Sequence, residues 1–185
     1  MKLLVAFCAC LTLSLLGTQV TAATQVEVQW QNPEDFRDVQ SSSGSRKRFE
    51  ASTFKNLDEY LQELSRKLPE GSRLVMTVTD LDLAGQVFPA SFVGLGSGGS
   101  DIRVIKAVDI PRMNFNYQLM SSSGELIQES DVELKDMSFL NNANHHFRNE
   151  PLRYEKNMLK RWFDKEFSQQ ISRNLVETDT SSSAG

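Results

Sequence analysis

The stretch RLVMTVTDLDLAG, residues 73–85, decides how this chain is expected to fold. Apolar and polar residues alternate as far as Val78, which is the two-residue period of a half-buried β-strand. From Leu81 onward the apolar residues take the opposite parity, so the apolar face changes sides. Either a β-bulge near Thr79 re-aims the later side chains, or both faces of the strand are buried.

The segments before this strand show two further periodic patterns. The sequence QVEVQWQ, residues 25–31, alternates apolar and polar side chains and predicts a strand. Residues 53–68 carry apolar side chains at steps of three and four, which predicts an amphipathic helix that ends at Pro69. The core of the fold is therefore expected to begin as a strand, a helix and a strand.

A glycine-rich connection, residues 84–100, follows the central strand and contains the pattern Gly94-x-Gly96-x-x-Gly99. A dinucleotide site would require a helix directly after this pattern, to receive the pyrophosphate. The next segment, residues 101–110, has the alternation of a strand instead. No nucleotide or other cofactor is therefore expected.

Residues 112–120 alternate apolar and polar side chains almost without interruption, and residues 125–134 are expected to form the second strand of a hairpin with them. A loop of four residues would place Leu119 opposite Leu126. In that register the apolar positions of both strands fall on one side of the sheet.

A second amphipathic helix is expected from Leu152 to about Ile171, because Pro151 suits a first helical position. The predicted fold class is α+β, with a mainly antiparallel sheet of about five strands and two amphipathic helices on one face, in the order β-α-β-β-β-α. This single domain is expected to occupy residues 23–173, and residues 174–185 are expected to form a disordered tail.

Residues 1–22 have the features of a secretory signal peptide. Lys2 precedes an apolar run, and the segment closes on small residues at the spacing that signal peptidase recognises. Both cysteines of the chain lie in this segment, so the mature chain is expected to have no disulfide, no thiolate metal site and no cysteine nucleophile. The mature chain is therefore expected to be exported, with no membrane span, since no later segment approaches roughly 20 apolar residues.

The mature chain is mildly acidic. The full sequence has a formal net charge of −4, and removing Lys2 leaves 19 basic residues against 24 acidic ones, or about −5. Nucleic acid phosphates require a basic surface, so a nucleic acid partner is not expected.

Asp80 and Asp82 are the first candidate site residues. On one face of a strand their side chains would lie about 7 Å apart. The favoured interpretation is structural, with the two carboxylates capping a turn or paired with a nearby arginine. The alternative is a divalent-cation-dependent hydrolase that uses both aspartates, with His145 or His146 approaching from a later loop. A calcium loop would need a third ligand and a closing glutamate, and the sequence here has neither.

Glu155 is the second candidate, because its helical position places it inside the apolar stripe of the last helix. A buried carboxylate is expected to have a cationic partner or to take up a proton. Arg103, on a predicted strand, is the expected partner, and Arg112 is the second choice. An internal ion pair is favoured over an active-site acid.

Phe88 and Phe92 lie in a loop rich in glycine and serine, so we interpret them as possible ligand or partner contacts. The other aromatic residues are expected to fill the core. The sequence has no nucleophile elbow, no His-Glu-x-x-His motif and no phosphate-binding loop, and only two histidines. No catalytic residue and no metal ligand is therefore assigned.

Several short stretches together resemble a family of uncharacterised exported proteins of gammaproteobacteria and their relatives, the domain of unknown function 3016. The resemblance spans roughly residues 25–168, and residues 79–85 (TDLDLAG) are its most specific part. The other matching stretches are Trp30, Asn32-Pro33, Phe36-Arg37-Asp38, Leu68-Pro69, Asp101-Ile102-Arg103, Pro111-Arg112, Tyr154-Glu155-Lys156, Leu159 and Trp162. The resemblance implies one exported domain, in which Asp80, Asp82, Arg103 and Glu155 belong to a common pattern, and it implies no activity.

The function expected from these observations and from the resemblance is that of an exported envelope protein of a Gram-negative bacterium, without enzymatic activity, located in the periplasm or outside the cell. It would bind a small ligand or act as an accessory to the assembly of another envelope protein. The partner is therefore either an unknown small molecule or an envelope protein.

Overall fold

The computed structural model describes residues 23–42, 44–92, 94, 101–141, 147 and 149–182. A short 3-10 helix at Pro33–Asp35 follows the first strand. The strands are β1 (Gln25–Trp30), β2 (Arg73–Asp82), β3 (Gln86–Phe88), β4 (Ile102–Val104), β5 (Arg112–Met120) and β6 (Leu126–Lys135). The helices are α1 (Arg46–Ser65), α2 (Arg153–Glu166) and α3 (Ser168–Ser182).

Four of the strands form one sheet in the order β1-β2-β5-β6. The β1–β2 pair is parallel, with α1 as its crossover, while β2–β5 and β5–β6 are antiparallel. The strands β3 and β4 form a separate antiparallel pair. The predicted α+β class with a mainly antiparallel sheet is confirmed, although the described strands form two sheets rather than one.

The hydrophobic core lies between one face of the four-stranded sheet and the helices α1 and α2. It is continuous, and buried side chains from both layers contribute to it, among them Leu57, Leu61 and Leu64 of α1; Leu74, Met76 and Leu81 of β2; Phe115 and Tyr117 of β5; Trp162 and Phe163 of α2. Burial of each such side chain contributes about 1.5–3 kcal/mol. We call the sheet face that carries this core the helix side and the opposite face the open side.

A β-bulge near the end of β2 confirms the first of the two interpretations of the parity change. Val78 pairs with Phe115 and Asp80 pairs with Asn114, so the register shifts at Thr79. Leu81 returns to the helix side, where it is fully buried. Asp80 and Asp82 are consequently placed on the open side of the sheet.

The predicted register of the β5–β6 hairpin is wrong. Leu119 pairs with Gln128, and Leu126 pairs with Met120, because Ile127 is an additional residue that bulges out between the two pairs. Leu126 consequently lies away from the core and is 49 % exposed. The helix side of β5 remains apolar, as the alternation predicted.

The C-terminal region also differs from the prediction. The single expected helix is divided at Phe167 into α2 and α3, and the region expected to be a disordered tail from residue 174 is helical through Ser182. The side-chain amide of Asn174 donates hydrogen bonds to the carbonyls of Lys67 and Leu68, both at 3.2 Å. These contacts attach α3 to the C-terminal end of α1. Within the described ranges, no helix combines the length and the apolar character that crossing a bilayer requires.

Candidate functional site

The end of β2 separates two concave sites, one on each side of the sheet. On the helix side is a mostly apolar cavity of about 480 Å³, which we call the apolar pocket; it is lined by Phe49, Leu83, Ala84, Arg103, Ile105 and residues 149–155. On the open side is a cavity of about 650 Å³, which we call the charged cleft; it is lined by Asp35, Arg37, Asp80, Asp82, Arg112, Asn114 and residues 133–135. The aspartates and Glu155 therefore do not share one site.

One wall of the apolar pocket is the turn that leads into α2. Leu152 precedes the helix with a φ of 57°, a left-handed conformation that is uncommon for a bulky side chain. Its carbonyl accepts the backbone N–H of Lys156 at 2.8 Å, and the buried Nζ of Lys156 contacts Oε2 of Glu150 at 2.7 Å. These two bonds hold the turn against the helix and shape the pocket.

Glu155 lies in the first turn of α2 with only 3 % of its surface exposed. Its Oε1 accepts the backbone N–H of Ala84 at 2.8 Å. Burial raises the pKa of Glu155, while the hydrogen bonds from the backbone N–H groups of Ala84 and of Glu155 itself, and the charge of Arg103, oppose that rise. The N-terminal end of a helix also favours a negative charge.

Arg103 uses its guanidinium to bind main-chain carbonyls. Nη1 donates to the carbonyls of Ala84 and Gly85 at 3.3 and 2.9 Å, and Nη2 donates to those of Asp38 and Gln40 at 2.5 and 3.0 Å. The guanidinium thereby ties β4 to the end of β2 and to the loop before α1. A planar group with five donors suits this arrangement, which a lysine could not reproduce.

The predicted direct ion pair between Arg103 and Glu155 is not formed. Among the described residues, the ion pairs within 4.0 Å include neither side chain. The two residues are instead joined through the backbone of a single residue, Ala84, because Glu155 accepts its N–H and Arg103 donates to its carbonyl. Arg112, the second predicted partner, lines the charged cleft on the open side.

The backbone at position 85 requires the glycine that ends the TDLDLAG stretch. Its φ is +78°, and a Cβ atom at this position would lie 2.5 Å from the carbonyl oxygen of Val104 and 2.6 Å from Cδ1 of Ile105. Only glycine allows the chain to leave β2 in this direction so close to β4. The close approach brings Ile105 to the apolar pocket.

Asp82 is half-buried in the charged cleft. Burial raises its pKa from 3.8 to about 6, and the negative charges of Asp38 and Asp80 add to the rise, while Arg112 and Arg37 oppose it. In the part of the chain that the structure describes, no ion pair within 4.0 Å includes Asp80 or Asp82. Asp82 therefore interacts with Arg112 and Arg37 through their charges at a distance, and it forms no ion pair with either.

Three or more His, Cys, Asp or Glu side chains do not come together as a metal-binding group anywhere in the described ranges. His145 and His146, which the hydrolase interpretation brings towards Asp80 and Asp82, lie outside those ranges. Within them, Asp80 and Asp82 share the charged cleft with two further acids, Asp35 and Glu133, and with Arg37, Arg112 and Lys135. These described acids are not arranged as a group of three that could hold a metal ion.

Phe88 and Phe92 stack on each other at the β3–β4 pair, with ring centroids 5.6 Å apart. Phe92 is 77 % exposed, and Nζ of Lys106 lies 4.4 Å from the ring centroid of Phe88. Neither ring lines the apolar pocket. They form a small exposed apolar surface of their own.

Sequence reasoning did not identify Asp38 or Lys156 as parts of the site. Asp38 has a φ of 53° and contributes a carbonyl to Arg103, and Lys156 holds the pocket wall through Glu150. The tripeptide Tyr154-Glu155-Lys156, which belongs to the family resemblance, contained the only available signal for Lys156. For Asp38 the signal was its place in Phe36-Arg37-Asp38.

Comparison with known proteins finds one family. A family model described as a protein of unknown function (DUF3016) matches residues 24–165. No curated protein matches the chain, and no solved structure does.

Proposed function

This chain belongs to the DUF3016 family, and since that description assigns no activity, we propose from the geometry of the site that the protein binds a small, uncharged and mostly apolar ligand in the apolar pocket. Pockets of about 300–1,000 Å³ with an apolar lining and a few convergent polar groups are typical of small-molecule sites. The cavity of about 480 Å³ beside Glu155 and Arg103 has this size and this lining.

The observation that carries the proposal is that the charged side chains of the lining are already engaged by the protein. Glu155 accepts the Ala84 N–H, and Arg103 donates to four carbonyls. Glu150 pairs with Lys156, and Arg153 donates to the hydroxyl of Tyr154 while lying over its ring. A charged ligand would have to displace these bonds, whereas an apolar group only displaces water.

The same engagement favours a binding role over a catalytic one. A general base or nucleophile needs a side chain that is free to reach a substrate atom. Oε1 of Glu155 accepts the backbone N–H of Ala84, and turning this oxygen towards a substrate would leave that buried N–H without an acceptor.

We propose further that the protein performs this role after export, in the envelope of a Gram-negative bacterium or outside the cell. The support is the signal-like character of residues 1–22. Expression of the full chain in a Gram-negative host, followed by mass spectrometry of the periplasmic fraction, should find a chain that begins near Ala23. A chain that keeps its first 22 residues and stays in the cytoplasm would contradict export.

The ligand proposal is tested with N-phenyl-1-naphthylamine, an uncharged apolar dye that becomes fluorescent when it leaves water. The mature protein should bind the dye saturably, with one site per chain. Ile105→Trp places a larger side chain in the pocket and should weaken binding by about tenfold or more, which corresponds to at least about 1.4 kcal/mol.

Met137→Trp is the matched control, because Met137 is 76 % exposed and does not line the pocket. This variant should bind the dye like the unmodified protein. Thermal melts of both variants establish that each is folded. Equal dye binding by Ile105→Trp and the unmodified protein would refute the assignment of the pocket.

The alternative is a divalent-cation-dependent hydrolase that uses Asp80 and Asp82. Four acids and three basic residues line the charged cleft, so its net charge is nearly balanced. The alternative is weaker because, among the described residues, no three His, Cys, Asp or Glu side chains come together as a group that could hold a metal ion. Thermal melts with calcium, magnesium, manganese or zinc distinguish the two. A rise in melting temperature that disappears in the double variant Asp80→Asn, Asp82→Asn would favour the hydrolase.

A further inference from the structure

The two edges of the four-stranded sheet are treated differently by the rest of the chain. At the β1 edge, Oε1 of Gln62 accepts the backbone N–H of Val26 at 3.2 Å, and its Nε2 donates to the carbonyl of Thr24 at 2.8 Å. Nε1 of Trp30 also donates to Asp58 of α1 at 3.1 Å. Gln62 thus satisfies backbone groups at the start of this edge, and Asp58 holds α1 beside the end of β1, so α1 covers part of the edge.

The β6 edge has no such cover from the described residues. Its backbone hydrogen bonds run to β5, and no backbone bond joins its outer edge to another described element. Among the described residues, one contact occupies an edge carbonyl, that of Asp131, which accepts the hydroxyl of Ser130 at 3.2 Å. The strand is ten residues long, which is enough to template a further strand.

The side chains of β6 define what such a strand would carry. On the open side Glu129, Asp131 and Glu133 are exposed and follow one another at intervals of about 7 Å. On the helix side Val132 and Leu134 are half-buried at the margin of the core. An added strand would place one set of its side chains beside three carboxylates. The alternate set would lie beside Val132 and Leu134 along one half of β6 and beside Gln128 and Ser130 along the other half.

A second copy of this chain does not fit that description. In an antiparallel pairing of two β6 strands centred on Asp131, each Glu129 would face the Glu133 of the other copy. Like charges directly opposite each other on neighbouring strands are destabilising. The acidic row therefore disfavours self-association and favours a basic partner.

We propose that the β6 edge is a docking site for an extended segment of a partner protein in which Lys or Arg alternates with apolar residues. The segment adds to the sheet as a fifth strand through backbone hydrogen bonds. Its cations lie along Glu129, Asp131 and Glu133, and its apolar residues extend the core beside Val132 and Leu134. This surface is separate from the apolar pocket, so the two proposals stand or fall independently.

The probe is an eight-residue peptide of alternating lysine and valine, labelled for fluorescence anisotropy, with a glutamate–valine peptide for comparison. The mature protein should bind the lysine peptide saturably and the glutamate peptide not at all. Reversing the row in Glu129→Lys, Asp131→Lys, Glu133→Lys should weaken binding of the lysine peptide by about tenfold or more.

The matched control reverses three exposed acids elsewhere, in Glu59→Lys, Glu63→Lys, Glu70→Lys, which changes the net charge equally. This variant should lose less than about threefold in affinity. An equal loss in both variants would mean that the peptide responds to net charge alone and would overturn the proposal.

Hydrogen exchange supplies a second readout that charge alone does not move. Bound lysine peptide should slow exchange at alternate backbone amides of β6, those that point away from β5. Slowed exchange in another element, or none in β6, would also overturn the proposal. Circular dichroism of both triple variants confirms that the sheet is intact.

Discussion

The two sides of the sheet at the end of β2 hold their carboxylates in opposite ways. On the helix side, Glu155 is buried and meets a backbone N–H at 2.8 Å. On the open side, Asp82 is half-buried and lies near the negative charges of Asp38 and Asp80, with arginines only at a distance. Asp82 is the last residue of β2, and Glu155 contacts the chain two residues later, on the opposite side of the sheet.

The difference shows what decides whether a carboxylate in this fold is structural. Burial raises the pKa of both groups, and the pKa of Asp82 reaches about 6. Glu155 has fixed backbone donors that stabilise its charge, whereas the groups nearest to Asp82 include two further acids. We therefore expect changes on the helix side to alter the free energy of unfolding strongly, and changes on the open side to alter it weakly and with pH.

The largest effect is expected from Gly85→Ala. A positive φ costs a residue with a Cβ about 1–2 kcal/mol, and the new Cβ would lie 2.5 Å from the carbonyl oxygen of Val104, which is main chain and cannot rotate away. Forced displacement of packed groups adds roughly 1–3 kcal/mol. Urea denaturation should therefore give a loss of about 3 kcal/mol.

Gly124→Ala separates the two causes. Gly124 has a φ of +83°, but nothing lies within 4 Å of its Cβ position. This variant should lose only the conformational part, about 1–2 kcal/mol. Equal losses in the two variants would show that the contact with β4 is not tight.

The second-largest change in the free energy of unfolding is expected from substitutions of Glu155. They distinguish two roles of its carboxylate, as acceptor of a backbone N–H or as partner in an ion pair. Glu155→Ala removes the acceptor of the buried Ala84 N–H and should lower the free energy of unfolding by about 2–3 kcal/mol. Glu155→Gln keeps an acceptor oxygen and should lower it by less than about 1 kcal/mol. Chemical denaturation at pH 7 measures both.

A direct pair with Arg103 would reverse that expectation. Removing one charge of a buried ion pair leaves the other uncompensated and costs about 3–5 kcal/mol. If Glu155→Gln proves as costly as Glu155→Ala, the charge of Glu155, rather than its oxygen, is what the helix side requires.

The bulge in β2 could be predicted because the apolar residues on its two sides have opposite parity. The bulge at Ile127 could not, because Leu126 and Ile127 are both apolar and either could face the core. In the same way, α3 makes a tertiary contact that no local pattern reports, from Asn174 to the carbonyls of Lys67 and Leu68 in the turn after α1. The periodicity of apolar residues predicts which face of a helix or strand is buried. It does not predict a contact with residues that are distant in sequence.

The candidate site was predicted in part. The sequence pointed to Glu155 and Arg103 as neighbours, and the structure places both at the apolar pocket. What joins them is the N–H and the carbonyl of Ala84, and no side-chain pattern reports a main-chain link. The apolar pocket itself depends on the turn at Leu152, which has a left-handed backbone conformation. A leucine in the sequence does not predict this conformation, because bulky residues rarely adopt it.

The smallest effect is expected on the open side, from Asp82→Asn, and it should depend on pH. The pKa of Asp82 is about 6 in the folded protein against 3.8 without its surroundings, so the folded state binds the proton more tightly than the unfolded chain. The stability that this proton contributes is present below about pH 4 and is lost as the pH rises to about 6. Asparagine carries no charge at either pH, so Asp82→Asn should stabilise the protein at pH 7.5 and give no gain at pH 4. The side chain remains about half exposed, and solvent screening keeps the gain below about 1 kcal/mol.

Asp131→Asn is the control, because it removes an equal charge from an exposed position on the same face of the sheet. Thermal and urea unfolding at the two pH values should change by no more than about 0.5 kcal/mol in this variant. A loss of stability in Asp82→Asn at pH 7.5 would mean that Arg112 and Arg37 attract the carboxylate more strongly than Asp80 and Asp38 repel it. In that case the charges of Arg112 and Arg37 would stabilise ionised Asp82. The two sides would then differ in the kind of group that stabilises the carboxylate, arginines on the open side and backbone N–H groups on the helix side.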